Sequence, residues 1–381
     1  MIRIVQKANL NGGHSMSHRK GTLPDWLIGE AIQSGNIKGA EHKNIQPASL
    51  DLSLTSDMYR LPGLTQLRIG ESVKELVVRV GGKKHDVQSL LEVNVVYLAR
   101  LKESMSLPEN VYGYCNPKST TGRLDIHVRV VADGIAQYDT LYPAGFNGEL
   151  WAYIIPHSIP VKLFKGIALA QLRLFTENTR LSEVELELAL RNDKLLWHRN
   201  GDPFMYSELK LRDGDGSIIL TADLSSEMIG WECIGTNEPL DLSLREYRAS
   251  DFFRPVSLDE KGNLKMKKDR FYILSTKEFV RVPPHMACEM RPMNDRFGDF
   301  RAHYAGFIDP GWGWGVEGKG RGRPLTLEVR AHEDMVLGPG QAIAKVRFER
   351  MIDLPEVHYD AGSPNYGVQN GPKLAKHFTV S

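Results

Sequence analysis

The sequence predicts a mainly β protein built from two copies of one barrel-like domain, with a few short helices. Three observations predict it. Sequence stretches recur in the same order in both halves; short alternating apolar runs are cut by Gly, Pro and Asn turns; and the chain has 381 residues, more than one ordinary domain and comfortable for two.

The recurrences come first, because a missed repeat misreads the whole fold. IQPASLDLSL (45–54) resembles TNEPLDLSL (236–244), which aligns Asp51 with Asp241. KSTTGRLDIHVRVVA (118–132) resembles RPMNDRFGDFRAHYA (291–305), aligning Arg123 with Arg296 and setting Pro292 and Met293 against the hydroxyls. VKLFKGIALAQLRLF (161–175) resembles MVLGPGQAIAKVRFE (335–349).

The strands are predicted from period-2 runs such as IHVRVVA (126–132), ELWAYII (149–155) and LTLEVRA (325–331). Many short strands between turns point to a barrel or sandwich. One helix is predicted over 24–35, with Pro24 near its start and Gly35 at its end; a second is predicted within 180–197. The turn NGDP (200–203) suggests a junction near residue 200. The expected organisation is therefore an arm or cloning remnant at 1–21, a first domain at 22–200 and a second at 201–381.

Composition narrows the function. Lys plus Arg number 48 and Asp plus Glu 47. Binding a nucleic-acid duplex needs a basic surplus, so no nucleic-acid partner is expected. No run of eighteen apolar residues occurs, so no membrane span is expected. The first twenty residues lack an apolar signal core. Three widely spaced cysteines do not make a disulfide framework, and the expected compartment is the reducing cytoplasm.

Several motifs carry chemistry. KSTTGR (118–123) offers a cation, three hydroxyls and an arginine, suited to a triphosphate; by composition alone it is also an ordinary polar turn. AGFIDPGWG (305–313) reads as a tight hairpin whose glycines let backbone approach a ligand. In LTLEVRA, Leu325, Leu327 and Val329 share one face, so Thr326 and Glu328 project to the other. Tyr153 aligns with Glu328 in the first copy. WGVEGKGRGRP (314–324) reads as a mobile basic insertion.

Together with the tail NYGVQNG (365–371), these motifs resemble dCTP deaminase, a relative of dUTPase, over most of residues 22–372. The resemblance implies a tandem pair of dUTPase-like β-barrels. It implies metal-free deamination of dCTP to dUTP, with Glu328, Ser119 and Arg123 as catalytic residues. It implies nucleotide contacts from Lys118, Thr120, Ala305, Phe307, Asp309, Trp312, Tyr366 and Gln369. Zinc deaminases carry an H-x-E…P-C-x-x-C signature, and neither part occurs here. Magnesium is expected only with the triphosphate. A homo-oligomer, dimer or trimer, is expected, and regulation by dTTP is left open.

The copies differ in a telling way. The first keeps the hydroxyl segment but lacks the carboxylate, the AGFIDPGWG segment and the tail; the second has the reverse. In trimeric members of that family the site lies between subunits, so here the two copies are expected to divide one site. The tail is expected to be mobile without ligand and removable after Pro364 with little loss of stability. The alternatives are a dUTPase or bifunctional enzyme, with Asp309 activating water, and a non-catalytic nucleotide binder.

Overall fold

A computed structural model describes residues 20–293, 300–302, 306–362 and 369–380. Most of the expected arm at 1–21 lies outside them. Gly21 is no arm residue: it pairs with Thr176 in a short strand, and a Cβ there would lie 2.3 Å from the Ile352 backbone nitrogen.

The first copy holds α1 (Asp25–Gln33), β1 (Ser49–Leu61), α2 (Val73–Val80), β2 (Val96–Ser106), β3 (Val111–Pro117), β4 (Ile126–Ala132), β5 (Asn147–Pro156) and β6 (Ala168–Thr176). Its strands run β3-β6-β1-β2-β5-β4 in space, every pair antiparallel. The edges β3 and β4 curl together into a nearly closed barrel. Burying alternate residues of these strands fills the interior with Leu50, Leu52, Val128, Val130, Leu150, Ala152 and Leu172.

The second copy holds α3 (Glu183–Asp193), β7 (Ser217–Thr221), β8 (Phe271–Val280), β9 (Met286–Arg291), β10 (Phe300–Ala302), β11 (Phe307–Ile308), β12 (Arg323–Ala331) and β13 (Ala342–Arg350). Here the barrel opens into two sheets. One contains β8-β12-β10, and the other runs β7-β13-β9-β11. The reason is visible in β1, which serves both β6 and β2 in the first copy. Its counterpart is split: β7 pairs β13, while Trp231–Cys233 pairs β8.

Pairing corrects two of the three sequence matches. Asp51 lies opposite Gln171 in β6, and the residue opposite the matching Lys345 in β13 is Ile219. Asp241 instead pairs in parallel with Lys162 of the first copy. A short Leu-Asp-Leu run is set by composition; strand identity is set by its partner. In the second match, Asn116 faces Gln171 as Arg291 faces Lys345, so Pro292 corresponds to Pro117 rather than Ser119. Arg296 and Ala305 lie outside the described residues. The third match holds residue for residue, with β6 and β13 each paired to its own neighbour.

The cores interlock. Leu181, Leu186, Leu190 and Leu196 pack in the second core, so packing changes hands near residue 180, earlier than the turn at 200–203 suggests. In return Trp231, Phe253, Phe271 and Ile273 enter the first core, together with Leu374, Ala375 and Phe378. The chain's last residues are therefore structural. Cutting after Pro364 would strip buried apolar groups, contrary to the sequence expectation. Helix α3 carries the capping box Ser182/Glu185. Helix α2, unforeseen in the sequence, carries the same signal in Ser72/Glu75. Among the described residues no helix is long and apolar enough to cross a membrane.

Candidate active site

The largest convergence of expected site residues is a cleft between the two copies, with a cavity volume of about 130 Å³. Lys118, Ser119, Thr120 and Arg123 line it from the first copy. Phe307, Asp309, Trp312, Glu328 and Gln369 line it from the second. Ala305 and Tyr366 lie outside the described residues.

The first wall is one helical turn, Ser119–Gly122, between β3 and β4. The turn is fixed from behind, since Leu169 O accepts from both the Lys118 backbone N–H (2.9 Å) and Thr121 Oγ1 (3.0 Å). That leaves Ser119 exposed and Thr120 half-buried at the cleft. The Lys118 ammonium pairs with the carboxylate of Asp51 on β1. Burial pushes the Asp51 carboxyl up, and Lys118 opposes it.

Arg123 closes the turn and crosses to the other copy. Its Nη1 donates to Lys373 O (2.9 Å) and its Nη2 to Gln369 Oε1 (3.1 Å). Its Nε lies 3.6 Å from Glu328 Oε1, with 3% and 4% of the two side chains exposed. Gln369 is fixed in turn, donating from Nε2 to Pro324 O (2.8 Å).

Glu328 sits where strand alternation places it. Leu325, Leu327 and Val329 enter the second core, while Thr326 and Glu328 face the cleft. Burial pushes the Glu328 carboxyl up to about 7, and the Arg123 guanidinium only partly offsets this. Among the described residues Oε1 makes no hydrogen bond, an unusual state for a buried oxygen.

The AGFIDPGWG segment is a strand and a turn rather than a hairpin. Phe307–Ile308 extends the sheet beside β9, and Gly311 and Gly313 take positive φ to turn the chain. A Cβ at Gly311 would meet the His358 ring at 2.5 Å. The buried Arg173 of the first copy holds this segment. It donates to Cys288 O (2.8 Å) and Asp309 Oδ1 (3.2 Å), and its guanidinium lies 4.2 Å from the Phe307 ring centroid. Trp312 packs against Tyr359 with ring centroids 5.2 Å apart. The basic insertion is anchored: Arg323 pairs with Asp360 at 2.7 Å, and Arg281 lies 3.8 Å from the Trp314 ring.

Arg173 escaped sequence reading although a charge inside the run ALAQLRLF is itself a signal. Arg173→Met is expected to destabilise the protein by roughly 3–5 kcal/mol, because it strands Asp309 and several carbonyls in the interior. Denaturant unfolding checks this, and an unchanged midpoint would mean the clamp contributes nothing.

The matching surface of the first copy is filled. Its β5 sends Leu150, Ala152 and Ile154 into the core, and turns Trp151 and Tyr153 to the other face. There Leu76 and Val77 of α2 cover them, and Tyr153 OH donates to Thr65 O (2.7 Å).

Comparison with known proteins agrees with this architecture. The family description "2'-deoxycytidine 5'-triphosphate deaminase (DCD) N-terminal domain" matches residues 19–178, and its "C-terminal domain" counterpart matches residues 191–378. A "dCTP deaminase, dUMP-forming" of Methanosphaerula palustris is 31% identical over 158 residues, covering 40% of this chain and 80% of that protein. One of the same description from Methanoregula boonei is 27% identical over 158 residues, covering 40% and 81%. The crystal structure of 2'-deoxycytidine 5'-triphosphate deaminase from Agrobacterium tumefaciens superposes with a TM-score of 0.78 at 32% identity, covering 89% of this chain and all of that one. With both halves matched in order and a solved relative aligned along most of its length, this chain belongs to the dCTP deaminase family.

Proposed function

We propose that the chain hydrolyses dCTP to dUTP and ammonia at the cleft between its two copies. The observation that carries this reading is the buried Glu328 carboxylate, 3.6 Å from an arginine contributed by the other copy. Removing an aromatic amine requires a water to add at cytosine C4, and the amine to leave with an added proton. Glu328 accepts the proton as the water oxygen bonds to C4, and returns it towards the departing nitrogen. Its carboxyl, raised to about 7, sits where a proton carrier works both ways near neutral pH. Arg123 fixes the carboxylate and, with Ser119, orients the water. Lys118 and Thr120 face the phosphates, while Phe307, Asp309 and Trp312 flank the base and sugar. Gln369 holds Arg123 in place.

The chemistry proposed uses no catalytic metal, and magnesium enters with the triphosphate as charge neutralisation. Among the described residues no three His, Cys, Asp or Glu side chains gather as a cation site.

A second reading is release of dUMP and diphosphate, suggested by the description "dCTP deaminase, dUMP-forming" of the two relatives. It would need a second carboxylate to direct water at the α-phosphate. Asp309, the candidate, is held by Arg173 at 3.2 Å, which favours the simple deaminase. Incubation with dCTP, nucleotide separation and an ammonia assay decide between them. Ammonia with dUTP supports the proposal; ammonia with dUMP selects the second reading; absence of ammonia sinks both.

The sign of the pH dependence follows from the base role. Glu328 must be ionised in the free enzyme to accept a proton. The value of kcat/KM should therefore climb with pH up to about 7 and level off above it. A profile flat from acid to neutral pH would remove Glu328 as the base.

A further inference from the structure

Two residues beyond each partner of the Arg123–Glu328 contact, the copies meet again. Asp125 follows Arg123 just before β4, and Arg330 follows Glu328 on β12. Strand alternation puts Arg330 on the same face of β12 as Glu328. Arg330 Nη2 pairs with the Asp125 carboxylate and donates to Ser158 Oγ at 3.0 Å. Ser158 Oγ donates in turn to the same carboxylate. The pair is withdrawn from solvent, with 1% of the Asp125 side chain and 14% of the Arg330 side chain exposed. Neither residue lines the cleft, so both stand behind it.

Both ends of the pair are held by backbone. The Asp125 N–H donates to Gly122 O at 2.9 Å, in the turn that carries Ser119, and Asp125 O accepts from the His157 N–H at 3.0 Å. Arg330 Nη1 donates to Asp269 O, and Arg330 lies opposite Phe271 of β8, which packs in the first core. The Arg123–Glu328 contact does not set its own spacing, because 3.6 Å is too long for a hydrogen bond. A buried ion pair adds little stability over apolar groups of similar volume, and its best-attested use is to fix one register. The first copy, with Tyr153 in place of Glu328, has Ile155 in place of Arg330. The cation thus stands in the copy that supplies the carboxylate, and an apolar residue stands in the copy that does not.

We propose that Asp125 and Arg330 are positioning residues for the reaction: their pair fixes the turn that carries Arg123 against the strand that carries Glu328, and so sets the distance between those two groups. The inference rests on the deaminase reading of the cleft. Two residues of strand span roughly 7 Å, so a slip between the copies at the pair passes almost undiminished to Glu328. A slip of about 1 Å is enough to cost about 100-fold in rate.

The paired variant Asp125→Asn/Arg330→Gln of the full-length protein tests it. The change removes both charges together, so no lone ion is left in the interior. Asn also accepts the φ of 56° that Asp125 adopts. The variant should fold, with kcat for dCTP about 100-fold lower and KM close to that of the wild type. Arg330→Lys keeps the charge but not the two-armed grip on Asp125 and Asp269 O, so its kcat should fall about 10-fold, between the two. A pair that served stability alone would lower the unfolding midpoint and leave the kcat of folded protein untouched. Wild-type kcat in either folded variant would therefore overturn the proposal, as would Arg330→Lys no more active than the paired variant. Crystals of either variant give a readout that needs no turnover. Arg123 Nε and Glu328 Oε1 should move apart from their 3.6 Å, by about 1 Å in the paired variant, and an unchanged separation would overturn the positioning role. A wild type that releases no ammonia from dCTP would instead sink the deaminase reading, and the separation would still decide whether the pair sets the geometry.

Discussion

Glu328→Gln is expected to remove nearly all turnover of dCTP, by about 10²–10⁴-fold or more, while nucleotide binding persists. Gln has the same shape and can still face Arg123, but it cannot take a proton from water. Near-normal turnover of the variant would strike Glu328 from the mechanism. The same variant has a thermodynamic signature. The folded carboxyl titrates at about 7 against 4.5 when unfolded, so between those values the native state binds more protons. Native stability from this group is thus present at acid pH and is lost as pH rises towards 7. Gln lacks that loss. Between pH 5 and pH 8 the variant's unfolding free energy should gain on the wild type by on the order of 3 kcal/mol. Parallel stability curves for the two proteins would mean the carboxyl is not held up by burial.

The second large effect is expected at Arg123. Arg123→Ala removes the only cross-copy partner of Glu328 seen among the described residues, and both contacts to the tail. Turnover should fall about 100-fold or more, the scale of a lost charge-stabilising group in a buried site. Any residual activity should need a higher pH, because Arg123 is what lowers the Glu328 carboxyl. Both groups come from one chain. Mixing Arg123→Ala chains with Glu328→Gln chains, after dissociation and reassembly, should therefore restore nothing. Recovery of a sizeable fraction of activity would show that the working site is assembled across chains. Deamination at the full rate by residues 1–200 or 201–381 alone would end the idea of a divided site.

Much of this was legible in the sequence, for identifiable reasons. Strand period put Glu328 on the face opposite Leu325, Leu327 and Val329, and that face lines the cleft. Motif loss in opposite halves pointed to one shared site, and Arg123 does meet Glu328 across the copies. What failed depended on partners far away in sequence. The Asp51 and Asp241 match failed because two similar runs pair with unrelated strands. The tail read as loose because its few apolar residues are scattered, yet Leu374, Ala375 and Phe378 complete the core of the other copy. The charge of Arg173 inside an apolar run was a signal, but its role was not legible because its partners, Cys288 O and Asp309, lie more than a hundred residues away. Helix α2 was missed although its Ser72/Glu75 capping signal was present.

The filled face of the first copy bears on how many nucleotides the proposed reaction would engage. Tyr153 stands where Glu328 stands, roofed by α2 and tied to Thr65 O. Under the proposed function a chain of 42.9 kDa then offers, among the described residues, one nucleotide cleft rather than one per barrel. Saturation should be reached at one nucleotide for each polypeptide, whatever assembly the polypeptides form. Sites in such an assembly would number half the barrels, and would be spaced by whole chains rather than by adjacent domains. Duplication here would have halved the catalytic density and released one barrel to serve as the other's wall.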